Sequence, residues 1–250
     1  ILQKVFAVTS WQEASMDEIP DDLLHAAVAI EDKRFYEHQG VDWFTTIKAF
    51  ANMFFGDETV GGSSITQQLI KNITDDNSVT VQRKVLEIFR ALQLEKRYHK
   101  DTIMEMYLNC IYLGQGCRGV RSAAETYFGK ELEMLTTAEC ASLISITNNP
   151  SMYDPLRADW CREENRTRQE LVLGKMLELE RITQEEYDAA VAEELNFDHG
   201  KDVQKNSAIY SWYEDAVIEQ VINDLMEAYG WAEEVATSVV FNGGLEIYTC

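Results

Sequence analysis

Proline occupies only 3 of the 250 positions, so few helices need be interrupted. No apolar run approaches the ~18 residues of a membrane-spanning helix. The chain opens at Ile1, without an initiator methionine, in what reads as a structured segment. Removal of an upstream signal peptide or anchor is compatible with that opening, so the missing run decides nothing about location. Cysteine appears five times (Cys110, Cys117, Cys140, Cys161, Cys250) but in no CxxC pair and no zinc-ligand spacing. An odd number closes no complete disulfide framework. In an extracytoplasmic protein such thiols imply burial or an anaerobic habitat. Basic side chains are also few, 22 against 43 acidic, and a net charge of −21 argues against nucleic acid as a partner.

Apolar residues make up 46 % of the chain, enough for a sizeable core. The negative charge is uneven: residues 31–130 carry thirteen basic and thirteen acidic side chains, residues 131–250 eight and twenty-five. The acidic half reads as a solvated surface. The balanced segment leaves room for local basic clusters that bind anions.

Apolar spacing is helical almost throughout. Helices are expected over Asp21–Ile30, Val41–Phe55, from near Ser63 after a break at Gly56–Gly62, and over Val79–Tyr98, Asp101–Leu113 and Val120–Phe128. Others are expected over Thr136–Ile146, Glu163–Glu180, Thr183–Glu194 and Ile209–Tyr229. The polar stretch Asn196–Asn206 reads as a boundary, and Asn242–Thr249 as a turn entering a β-strand.

Four clusters hold the side chains with chemistry. EDKRFYEHQGVD (Glu31–Asp42) places paired carboxylates where a helix yields to a glycine-bearing loop, a setting for general acid/base work. Phe35 and Tyr36 would lower the polarity beside Glu31. The same carboxylates would equally serve as an ordinary helix end. GGSSITQQLIKN (Gly61–Asn72) has glycines ahead of a helix, with Ser64 and Gln67 at capping-box spacing. Unpaired N–H groups at that start would bind an anion, beside Gln67 and Lys71 stacked four apart. No GK[ST] follows the glycines, which excludes a Walker loop. RKVLEIFRALQLEKRY (Arg83–Tyr98) sets Arg83, Glu87 and Arg90 on one face, with Val85, Phe89 and Leu92 on another that should seek the core. KDTIMEMYLNCIYLGQGCRGVRSAAETYFGK (Lys100–Lys130) reads as a helical hairpin around a glycine-rich turn.

In this order and spacing the clusters resemble the first four motifs of the peptidoglycan glycosyltransferases, glycosyltransferase family 51. LTTAECASLISITNNPSMYDP resembles the fifth. The likeness covers roughly residues 15–195. It implies an all-α, lysozyme-like, two-lobed helical domain with a smaller membrane-facing jaw. It also implies polymerisation of lipid II into glycan strands, with inversion at the anomeric carbon and release of undecaprenyl diphosphate.

By this resemblance Glu31 is the general base and Glu87 the second catalytic carboxylate. Asp32, Phe35, Ser63, Gln67, Gln68, Lys71, Arg83 and Lys84 match positions that bind sugar and phosphate. A divalent cation, Mg2+ or Mn2+, is a cofactor the family implies, with Glu87 its candidate ligand. Ser64 stands where threonine is more usual. Val79 stands where many members carry an arginine that contacts diphosphate, so another basic residue must serve or donor binding is weaker.

The tail YSWYEDAVIEQVINDLM…NGGLEIYT is similar to the connector of bifunctional class A penicillin-binding proteins. Residues 1–195 are then the glycosyltransferase domain, and 196–250 the connector and truncated start of a transpeptidase. The implied location is the extracytoplasmic face of the bacterial membrane, with an N-terminal anchor outside this sequence. The implied partners are lipid II, the lipid-linked strand, the membrane surface and a C-terminal transpeptidase domain. Two alternatives remain at this level: a lysozyme-like hydrolase, which needs a protonated acid and no diphosphate cradle, and a non-catalytic scaffold at the cell wall or membrane.

Overall fold

A computed structural model of the chain describes residues 10–48, 62–74, 80–197, 212–232, 235–236 and 239–240. Its helices are α1 (Asp21–Glu31), α2 (Ile65–Thr74), α3 (Val81–Glu95), α4 (Lys100–Cys110), α5 (Val120–Phe128), α6 (Thr137–Ile146), the short α7 (Pro150–Tyr153), α8 (Asp159–Glu178), α9 (Gln184–Ala192) and α10 (Trp212–Tyr229). Residues 43–48 are helical as well. The architecture is helical, as the spacing requires. The sequence pattern missed one parallel strand pair, β1 (Ser10–Trp11) with β2 (Cys117–Arg118), in register Ser10 to Cys117 and Trp11 to Arg118. Two-residue strands leave too little alternation to read. The remainder of the Val41–Phe55 helix, Val79 and the strand expected at Asn242–Thr249 lie outside the described residues.

Helix starts follow their caps. Thr80 accepts from Arg83 N, Thr136 from Glu139 N and Thr183 from Glu186 N. The latter two are complete capping boxes, with Glu139 and Glu186 reaching back to the cap backbone. The expected starts at Thr136 and Thr183 are therefore N-caps, one residue ahead of the first helical residue.

Helix α6 is the centre of the core. Every residue from Ala138 to Ile146 is buried, so it has no polar face. Its neighbours are α1 and α8 on broad contacts and α7 and α9 on smaller ones. Leu143 and Ile144, fully buried, each contribute about 1.5–3 kcal/mol of burial. Buried polar groups on α6 are matched: Ser142 Oγ donates to Asn165 Oδ1 at 2.7 Å, and Gln169 Nε2 donates to Ala138 O at 2.7 Å. Lys130 Nζ meets both oxygens of Glu139 at 2.7 and 2.8 Å. Such matching is what an all-buried helix requires of its polar residues.

Helix α2 packs on α3 and α4. Because α1 and α6 lie side by side, their C-terminal ends deliver Glu31 and Thr147 to the same place. There they meet the side of α2 that carries Gln68.

Helix α3 reverses the expectation from its pattern. It buries Glu87 and Ala91, while Val85 and Phe89, expected to seek the core, are exposed. Val81 and Leu86 are exposed with them, as are Trp43, Phe44, Ile47 and Ile73. The amphipathic pattern is real, but its charged face meets α2. The physical reason is that α2 offers Gln67, and the segment before it Ser63, as partners for Glu87 and Lys84.

Candidate active site

A cleft of about 670 Å³ runs between α2, the end of α4 and the turn after α6. Glu31, Ser63, Gln68, Lys71, Glu87, Arg118 and Thr147 are among its lining residues. A smaller cavity of about 220 Å³ adjoins it, sharing Glu31 and Ser63 and adding Asp32, Lys33, Asp42 and Lys175.

Glu31, the last residue of α1, is half-buried and reaches the cleft. Gln68 Nε2 donates to its Oε2 at 2.9 Å, and Thr147 Oγ1 lies 2.9 Å from its Oε1. Gln68 is oriented in turn by the wholly buried Tyr107, whose hydroxyl donates to Gln68 Oε1 at 3.5 Å. Burial holds the Tyr107 phenol well above its ordinary pKa, so it stays a donor.

Glu87 is buried and saturated. Arg83 Nη1 donates to Oε2 at 2.6 Å; Lys84 Nζ and Gln67 Nε2 donate to Oε1 at 2.5 and 3.1 Å. Lys84 also donates to Ser63 Oγ at 2.7 Å. A carboxylate so occupied serves as the anchor of two cations beside the cleft. These neighbours are all donors, and no group of three His, Cys, Asp or Glu side chains able to hold a metal occurs among the described residues. The residues around Glu87 do not fit a Mg2+ or Mn2+ ion, which takes oxygen ligands.

The start of α2 differs from the sequence expectation. The capping box forms, with Gln67 N on Ser64 Oγ at 3.2 Å and Ser64 N on Gln67 Oε1 at 3.0 Å. Two of the N–H groups expected to bind an anion are taken, Gln67 N by the cap and Ile65 N by Asp32 Oδ2 at 3.1 Å. Asp32 is buried and also meets His38 Nε2 at 2.8 Å. An internal carboxylate thus fills the favourable end of the helix. Asp32 fastens the loop after α1 to the start of α2.

Phe35, matched to the substrate-binding positions, is wholly buried, stacked edge-on to Tyr36 at 5.0 Å with Lys100 Nζ 4.3 Å from its ring centroid. A side chain without accessible surface packs and does not touch a ligand; its place in the motif reflects packing. Gln67 is likewise wholly buried, forms part of the cleft lining and spends its amide nitrogen on Glu87. Ser63, Lys71, Arg83 and Lys84 retain accessible surface, and Lys71 is exposed on α2.

Gly40 shows why this loop needs a glycine. Its φ is +91°, and an added Cβ would stand 2.9 Å from Ala91 O of α3. Two residues on, Asp42 takes Arg34 in a two-point pair and accepts from Thr45 N at 3.0 Å, capping the helical residues 43–48. Burial pushes the Asp42 carboxyl up, but Arg34 and Thr45 outweigh it and hold it at about 2.

The sequence reading did not single out Asn72, Cys110, Tyr112, Arg118, Thr147 or Asn148, all on the cleft wall. The signal for Thr147 and Asn148 was their place in the fifth motif, directly after the strongly apolar segment Ala138–Ile146. For Arg118 there was none, because β2 and its pairing set its position. Cys117, Cys140 and Cys161 are buried and Cys110 half-buried, all as free thiols. Burial raises the Cys110 thiol to about 11, so it lines the cleft uncharged at neutral pH.

Residues 2–177 match the protein family described as Transglycosylase. Penicillin-binding protein 1A of Clostridium perfringens is 40% identical over 246 residues, covering 93% of this chain and 36% of that protein. Penicillin-binding protein 1A of Vibrio cholerae is 39% identical over 236 residues, covering 94% of this chain and 27% of that one. The chain thus spans about a third of the length of these curated relatives or less. The crystal structure of penicillin-binding protein 1A from Haemophilus influenzae aligns with a TM-score of 0.48 at 22% identity, over 90% of this chain and 22% of that one. With the family's pattern matched along most of its length, and Glu31 and Glu87 brought to one cleft, the chain belongs to the transglycosylase family of enzymes, the peptidoglycan glycosyltransferases of glycosyltransferase family 51.

Proposed function

We propose that this domain polymerises lipid II into glycan strands, with Glu31 as general base. The observation that carries the reading is a half-buried carboxylate, aimed by two neutral groups, in a cleft whose wall carries Lys71 and Arg118, with Lys84 and Arg83 held beside it on Glu87. Glu31 takes the proton of the acceptor's 4-hydroxyl. The freed oxygen attacks C1 of the lipid-linked strand from the face opposite the diphosphate. The C1–O bond breaks and undecaprenyl diphosphate leaves, inverting the anomeric centre. Negative charge grows on the departing diphosphate, and fixed cations stabilise it most where they need no rearrangement. Glu87 fixes Lys84 and Arg83 for that task, so no metal-dependent step is needed in this scheme. The cationic wall also weighs against hydrolysis, which has no diphosphate to bind.

The same reading makes residues 1–195 the polymerising domain and 196–250 the connector towards a transpeptidase, for which the longer relatives leave room. It places the domain at the outer face of the cell membrane, where its lipid-linked substrates reside. No helix among the described residues is long and apolar enough to cross a membrane. The exposed apolar residues Val81, Val85, Leu86 and Phe89 of α3, and Trp43, Phe44 and Ile47, support contact with the bilayer surface.

Incubation of the chain with lipid II should yield long glycan and free undecaprenyl diphosphate. Glu31→Gln should abolish both products while the helical circular dichroism is unchanged. Full polymer yield from that variant would remove Glu31 from the chemistry. Shortening of preformed glycan by the intact protein would favour a hydrolase, and lipid II binding without turnover would favour a scaffold.

A further inference from the structure

The two oxygens of Glu31 face unlike neighbours. Oε2 accepts from the Gln68 amide nitrogen, which can only donate. Oε1 faces the Thr147 hydroxyl at 2.9 Å, and that same hydroxyl lies 2.8 Å from Ile144 O. A hydroxyl carries one hydrogen, so it cannot serve both acceptors at once. Ile144 O is not left bare when the hydroxyl turns away, because Thr147 N donates to it at 3.2 Å.

We propose that Thr147 is a positioning residue for the glycosyl transfer, a hydroxyl that follows the proton on Glu31 and makes Oε1 the oxygen that receives it. This rests on the reading of Glu31 as the base. While Glu31 is ionised, the Thr147 hydrogen points to Oε1, because a hydrogen bond to a charged acceptor is the stronger one. Proton transfer breaks the acceptor's O–H bond and forms the Glu31 Oε1–H bond. The electron pair left on the acceptor oxygen forms the new bond at C1, and the diphosphate departs with the pair of the broken C1–O bond. A protonated Oε1 is a poor acceptor, and the Thr147 hydrogen then turns to Ile144 O. Its oxygen lone pairs become free to accept from Glu31. Gln68 cannot reverse in this way, since the amide nitrogen facing Glu31 only donates. A proton on Oε2 would meet a second hydrogen, whereas one on Oε1 meets a group able to accept it.

The fold supplies this arrangement without adjustment. Thr147 follows the last residue of α6, and its backbone N–H still bonds back into that helix. A helix buried on every side therefore sets its position relative to α1.

The test is steady-state polymerisation of lipid II by the whole chain in four forms: wild type, Thr147→Val, Thr147→Ser and Glu31→Gln. Valine keeps the shape and removes the hydroxyl; serine keeps the hydroxyl. Thr147→Val should lower kcat by roughly 10- to 100-fold, the range for a base left about 1 Å out of aim, with KM within about twofold. Thr147→Ser should recover kcat to within about threefold of wild type. A Val variant with wild-type kcat would overturn the proposal, as would a loss confined to KM, or a Ser variant as poor as Val. In each of these cases loss of activity in Glu31→Gln leaves the base assignment standing. If Glu31→Gln polymerises like wild type, or wild type does not polymerise, the reading of the site fails and this inference with it.

Discussion

Replacing Glu87 by glutamine tests whether that carboxylate anchors Arg83 and Lys84 beside the cleft. The side chain is buried, and three donors converge on it: Arg83 at 2.6 Å, Lys84 at 2.5 Å and Gln67 at 3.1 Å. Glutamine keeps the shape but turns one oxygen into a donor. Whichever way the amide faces, it opposes either the Arg83 guanidinium or the Lys84–Gln67 pair. At least one bond to a charged group is lost, worth about 1.5–3 kcal/mol. Part is recovered because Lys84, with 35% of its side chain accessible, can turn to water. A net loss of about 2 kcal/mol follows. With a urea m-value of about 2 kcal/mol/M, the midpoint should fall by about 1 M, read by tryptophan fluorescence and circular dichroism together. A double-mutant cycle with Lys84→Met should show coupling of about 1 kcal/mol. A midpoint shift below about 0.2 M, or strictly additive single effects, would refute the claim that Glu87 holds the cations.

Two further outcomes follow from the loop between Glu31 and the helical residues 43–48. Gly40→Ala should destabilise the protein by about 2–4 kcal/mol, because alanine at φ +91° costs about 1–3 kcal/mol and its Cβ would press on Ala91 O at 2.9 Å. A urea midpoint equal to wild type would show that α3 yields freely there. Asp42 has its carboxyl held at about 2, below the ordinary value of 3.8. A lowered folded-state value means stability that is fully present above pH 4 and lost as pH falls towards 2. Ionised Asp42, held by Arg34 and Thr45 together, should therefore contribute about 2 kcal/mol at neutral pH. Asp42→Asn should flatten the fall in stability between pH 4 and 2; an unchanged slope in acid titration of the variant would sink the assignment.

The sequence by itself determined the helices, because spacing and caps act within a few residues. Thr136 with Glu139, Thr183 with Glu186 and Ser64 with Gln67 each satisfy backbone groups locally, so tertiary contacts did not override them. The motifs also singled out Glu31 and Glu87, which do reach one cleft. What each side chain does was decided only by the tertiary structure, because a role depends on which atoms from distant segments arrive opposite it. Phe35 and Gln67 stand in binding motifs yet are buried, and Asp32 crosses to the start of α2 and takes the Ile65 N–H of the anion site that local spacing suggested. The pattern of α3 announced an apolar face, but not that α2 would claim its charged one and leave Val85 and Phe89 outward. Thr147 was invisible as a partner of Glu31, 116 positions away in sequence. The side-by-side packing of α1 and α6, driven by burial of a helix enclosed on every side, brings the two together.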